Sequence, residues 1–84
     1  MPLPSWPQFD TSQIDAAINV LSSGNVNYWT GQETQAFERE FAEFTLSQYA
    51  IALANGSLAL SSAYLALRLG EGDELITSPR TFIA

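Results

Sequence analysis

The amino-acid sequence predicts an α/β fold that is incomplete as it stands, and three observations carry that expectation. Apolar residues recur at helical spacing in three separate stretches. Two short runs, residues 49–54 and 74–78, read as strands, the first apolar on both faces as in a parallel sheet covered on both sides. A helix lies between the two runs, and a strand, helix, strand unit implies a right-handed crossover with helices on the sheet faces. The expected order is helix, helix, strand, helix, strand.

Each element has local reasons. Pro2, Pro4 and Pro7 fix extended backbone, so residues 1–9 are expected to form a strap. Ile14, Ala17, Ile18 and Leu21 share one helical face, with Asp10 or Ser12 as cap and Gly24 as stop, which predicts a helix over residues 11–22. Residues 25–31 mix polar, aromatic and glycine positions without period and read as a loop. Thr30 and Glu33 stand in capping-box register before a helix over residues 32–46, whose Phe37, Phe41 and Phe44 form one aromatic stripe expected to be core. After the first strand, Asn55-Gly56-Ser57 turns the chain into a third helix over residues 58–69, stopped by Gly70. Residues 10–46 are thus two helices, and 47–84 the start of a sheet. The final Thr81-Phe82-Ile83-Ala84 has no cap and no polar tail, so the chain is expected to be part of a longer one.

Composition narrows the chemistry. Nine acidic residues stand against Arg39, Arg68 and Arg80, giving a net charge of -6, so neither nucleic acid nor an anionic membrane surface is an expected partner. Without cysteine or histidine, no thiolate or imidazole metal site is expected. No segment has the pattern of a signal peptide or a membrane span, and a cytoplasmic location is the default.

The most chemically pointed feature is the turn at Gly56 and Ser57. A helix amino end presents free amides and a positive dipole end, Gly56 permits close backbone approach, and Ser57 adds a hydroxyl. That combination suits a phosphate; the competing reading is an ordinary helix cap at Asn55. Tyr28 and Trp29 could stack on a flat or sugar-like ligand, although packing against the protein or a partner subunit accounts for loop aromatics more often. Asp73 and Glu74 point to opposite faces if they open a strand, so they are read as turn residues.

In this order and spacing the features resemble the DegT/StrS family of sugar aminotransferases. The resemblance runs from Gly31, Glu33 and the Phe37-to-Ala42 helix, through residues 49–60 with the Asn-Gly-Ser-Leu-Ala-Leu turn, to residues 72–76, Pro79 and residues 81–84. It implies the N-terminal part of a fold-type I large domain dependent on pyridoxal 5'-phosphate (PLP), in which the first two strands are not neighbours in the sheet. It also implies that Gly56, Ser57 and the amide of Leu58 hold the cofactor phosphate. Phe82 would lie against the pyridine ring, and Tyr28 and Trp29 would stand on the substrate side near a dimer interface. The expected activity is amino transfer from a donor such as glutamate to a nucleotide-linked keto-sugar, for polysaccharide or antibiotic assembly, in a homodimeric parent.

The sequence contains no lysine, although a PLP transaminase needs one to bind its cofactor covalently and carry protons. No catalytic residue is therefore assigned, and the 84-residue chain is expected to be inactive alone. The alternative is a free-standing small α/β interaction module without cofactor.

Overall fold

A computed structural model describes residues 2–3 and 5–82. It contains three helices, α1 (Thr11–Ser23), α2 (Glu33–Thr45) and α3 (Gly56–Ala66). The chain divides into two units, Met1–Ala50 with α1 and α2, and Ile51–Ala84 with α3. The expected strap and end motif are described only in part, since Met1, Pro4, Ile83 and Ala84 lie outside the described residues.

In the first unit, helix ends are set by polar side chains. Asp10 caps α1 through a reciprocal box: the Gln13 amide donates to Asp10 Oδ1 at 2.9 Å, and the Asp10 amide donates to Gln13 Oε1 at 2.9 Å. Ser12 Oγ donates to the same carboxylate at 2.7 Å rather than capping the helix itself. These hydrogen bonds from Ser12 and from the Gln13 amide hold the Asp10 carboxyl below its ordinary value of 3.8. Gly24 closes α1 in the left-handed region at φ 73°.

The expected capping box at α2 does not form. Gln32 occupies the cap position without a side-chain bond, and Thr30 turns back to Asn27 instead. Glu33 remains in the first turn, where its charge suits the helix dipole. The far end is a Schellman arrangement: the Ser47 amide donates to the Ala42 carbonyl at 2.9 Å, and Leu46 takes φ 55°, a conformation that glycine usually fills.

In the second unit, Asn55 caps α3 by accepting from the Leu58 amide at 2.9 Å. The helix starts two residues before the expected position and ends at Ala66, ahead of Gly70. The Leu69 amide donates to the Tyr64 carbonyl at 3.1 Å, and Arg68 rather than Gly70 takes the left-handed position at φ 56°. The Gly70 amide instead donates to Asp73 Oδ2 at 2.8 Å, the turn role expected of that aspartate.

Neither expected strand forms: among the described residues there is no strand at all. Residues 50–53 and 73–78 run as chain without regular structure, and Ile76 is 100% exposed. The physical reason is that a strand exists only through hydrogen bonds to a neighbour, whereas a helix closes its bonds within itself. Among the described residues neither run joins a strand ladder.

The expected aromatic core is likewise missing. Phe37 and Phe41 meet along one face of α2, with ring centroids 5.5 Å apart, as their spacing requires. No described residue is buried, however, and Phe44 is 84% exposed. The chain leaves 8341 Å² accessible to solvent. A folded monomer of 9.2 kDa would expose about 4900 Å². No helix among the described residues is long and apolar enough to cross a membrane.

Candidate functional site

The second unit carries a groove of about 850 Å³ along the start of α3, lined by Asn55, Gly56, Ser57, Leu60, Tyr64 and Phe82 among others. Its floor follows from the local sequence. Asn55 is extended at φ -163° and ψ 170°, which turns the chain sharply into the helix and brings the first-turn amides to the groove. A Cβ added at Gly56 would meet nothing within 4 Å, so the space in front of that backbone is open. Ser57 follows on the same wall, and its hydroxyl has no hydrogen-bond partner among the described residues. Phe82, 83% exposed, contributes a ring to the same groove from 25 residues farther along the chain.

Leu58 is placed differently from Gly56 and Ser57. Its amide is already taken by Asn55 Oδ1, and its side chain is not on the groove wall. The groove therefore presents the amides of Gly56 and Ser57, one hydroxyl, the Asn55 side chain and aromatic surface from Tyr64 and Phe82. That set can hold an anion at one end and a flat apolar group along its length.

In the first unit, Tyr28 and Trp29 sit on a tightly tied turn. Asn27 Oδ1 accepts from the Trp29 amide at 3.0 Å, the Thr30 amide at 2.9 Å and Thr30 Oγ1 at 3.0 Å. The Asn27 carbonyl accepts from the Gly31 amide at 2.8 Å. Gly31 is required here: a Cβ would lie 2.6 Å from the Asn25 carbonyl oxygen and 2.9 Å from that of Asn27. Tyr28 is anchored at both ends, its carbonyl accepting from Gln35 Nε2 at 3.2 Å and its hydroxyl donating to Glu38 Oε2 at 3.3 Å. The nearby Glu38 charge raises the Tyr28 phenol above its ordinary value, since a phenolate there would face a carboxylate. Trp29 meets Tyr28 edge to face at 5.4 Å, yet remains 87% exposed.

The sequence matches the DegT/DnrJ/EryC1/StrS aminotransferase family over residues 7–84. The chain belongs to that family. It is similar to a 3-amino-5-hydroxybenzoate synthase from Amycolatopsis mediterranei (strain S699), 36% identical over 81 residues, which are 96% of this chain and 21% of that protein. It is also similar to the X-ray structure of the aminotransferase from Psychrobacter cryohalolentis, at 56% identity and a TM-score of 0.87 over 98% of this chain and 21% of that one. The chain thus spans about a fifth of the length of these DegT-family relatives.

For a DegT-family chain, the residues singled out by sequence fall into two groups. Gly56, Ser57 and Phe82 come together in one groove, Leu58 stands behind its amino end, and Tyr28 and Trp29 share the turn of the other unit. Sequence reasoning did not single out Tyr64, whose place on the groove wall follows from its position two turns along α3. It also passed over Asn27, although an asparagine three residues before a threonine is a readable turn signal. Among the described residues no cluster of acidic, histidine or cysteine side chains could hold a metal.

Proposed function

We propose that this chain is the N-terminal part of a PLP-dependent aminotransferase that aminates a nucleotide-linked keto-sugar, and that it works as a homodimer in the cytoplasm. What supports this reading above all is the meeting of Gly56, Ser57 and Phe82 in one groove at a helix amino end, in a chain of the DegT family. The residues present fit the cofactor in part. The amides of Gly56 and Ser57 and the Ser57 hydroxyl suit a phosphate, with Leu58 securing the first turn behind them, and the Phe82 ring suits one face of the pyridine. When bound, PLP supplies the electron sink that amino transfer needs.

The chain's own contribution is binding and orientation. The α3 amides would hold the phosphate end, Phe82 would offer a face to the ring, and Tyr28 and Trp29 would stand on the substrate side. The lysine and the acidic partner of the ring nitrogen are not supplied by these 84 residues, which contain no lysine. Residues 49–54 and 74–78 gain sheet partners from the rest of the protein in this reading, and the exposed faces of the helices gain cover.

A second reading is favoured by the relative named as a 3-amino-5-hydroxybenzoate synthase. In that reading the substrate is a carbocyclic ketone on the way to an aminated ring rather than a nucleotide sugar. The deciding experiment uses the full-length product of the native gene, supplied with glutamate and either substrate type, with products followed by mass. Amination of the keto-sugar nucleotide is expected; turnover of the carbocycle alone would select the second reading, and absence of bound PLP would overturn both.

Asn55→Asp tests the groove itself. Aspartate still caps α3, but it places a negative charge where the phosphate would sit, so PLP affinity is expected to fall about tenfold or more while stability holds. Unchanged affinity would remove the phosphate from this helix end.

A further inference from the structure

The turn that carries Trp29 has a single organiser. Four hydrogen bonds converge on Asn27: its Oδ1 takes the Trp29 amide, the Thr30 amide and the Thr30 hydroxyl, and its carbonyl takes the Gly31 amide. The side chain gathers the backbone of two successive residues, Trp29 and Thr30, and the main chain of the same residue gathers a third, Gly31. The arrangement satisfies the polar groups of the turn while leaving the indole 87% exposed. The indole meets the Tyr28 ring edge to face, with centroids 5.4 Å apart. Tyr28 is itself moored to α2 through Gln35 and Glu38, so the turn has a fixed base.

We propose that Asn27 is a positioning residue, which by gathering residues 29–31 holds the Trp29 indole in the orientation that meets substrate. This rests on the reading above that Tyr28 and Trp29 lie on the substrate side. Asn27 itself touches no substrate and acts through Trp29. Holding the ring in its binding orientation removes an ordering cost that substrate would otherwise bear. Thr30 shares the task, since its hydroxyl supplies one of the three donors to Asn27 Oδ1.

The test uses the PLP-loaded full-length product of the native gene. Trp29→Ala is expected to raise the substrate KM about tenfold, with a smaller fall in kcat, as befits a group that binds rather than reacts. Asn27→Ala should raise KM by a similar factor, and the double variant should be no worse than Trp29→Ala, because both changes remove one function. Asn27→Asp keeps an oxygen that can accept the same three donors and should restore KM to within about twofold of wild type. Thr30→Val, which removes one donor, should give an intermediate rise and provides the test if Asn27→Ala does not fold.

Hydrogen exchange gives a readout independent of turnover. In Asn27→Ala the amides of Trp29 and Thr30, which lose their acceptor, should exchange about tenfold faster or more, with α1 and α2 unaffected. A loosened turn with unchanged KM would overturn the positioning role. Additive effects in the double variant would overturn it as well, because Asn27 would then act by another route. An unchanged KM in Trp29→Ala would sink the substrate-side reading and this inference with it.

Discussion

The first unit ties its loop to its helices with side-chain hydrogen bonds, whereas the expected strands of the second form no ladder among the described residues. Asp10 and Asn27 each organise several backbone groups within three or four residues, so the shape of residues 10–31 is settled by near neighbours. Around α3 the Asn55 cap and the Asp73 turn are comparable devices, while residues 50–53 and 74–78 join no ladder among the described residues. The lesson is that a local sequence can finish a capped helix or a tied turn by itself, but a strand must be finished by another part of a protein.

The most severe way to sharpen this comparison is to make the 84-residue chain alone. With no buried residue among those described, it is expected to show no cooperative thermal transition and no transaminase turnover above a protein-free PLP control. Circular dichroism on heating and an amino-donor assay would decide. A sharp transition would mean that the second unit completes itself after all.

Two glycines separate the units next. Gly31→Ala in the full-length protein forces a methyl to within 2.6 Å of the Asn25 carbonyl oxygen. Backbone cannot yield as a flexible side chain would, so a loss of about 2 kcal/mol or more is expected in denaturant unfolding. Gly56→Ala meets open space, and stability should stay within about 0.5 kcal/mol, while under the proposed cofactor reading the methyl in the groove is expected to weaken PLP binding. Equal destabilisation by both would erase the distinction between a glycine kept for its turn and one kept for access to the groove.

The smallest expected effect concerns Asp10. Its carboxyl lies below the ordinary 3.8 when folded, so it binds protons more readily unfolded than folded. Its stabilising contribution is present above that ordinary value and is lost as pH falls through the lower folded value. Asp10→Asn keeps a capping oxygen without the charge, so wild type should be the more stable near neutrality and the two should converge in strong acid. A stability difference independent of pH would contradict the ionised cap.

The three helices were legible because their signals are short-range. Apolar spacing placed α1, α2 and α3, and Asp10, Gly24 and Asn55 stand where a cap or stop was expected. Thr30 misled because its hydroxyl had two candidate tasks, capping α2 or closing the turn on Asn27, and the second was closer. Gly70 misled because Arg68 entered the left-handed region two residues earlier. The strands and the phenylalanine core were read from patterns that describe what surrounds a segment, and among these residues those surroundings are not present. Gly56 and Ser57 were marked by the turn itself. The pairing of Phe82 with them was not readable from spacing and came from the family resemblance, because 25 residues of intervening chain decide it.

The stretch around Ile51 and Leu53, which joins no strand ladder among the described residues, has a colloidal consequence. It is short, apolar, free of proline and uncharged, the type of segment that adds strands from other copies when nothing else occupies its edges. Mutual repulsion at a net charge of -6 is what keeps separate molecules of the 84-residue chain apart. That repulsion vanishes near the isoelectric point of about 4.1, so mild acid turns an unfinished strand into a seed for precipitation.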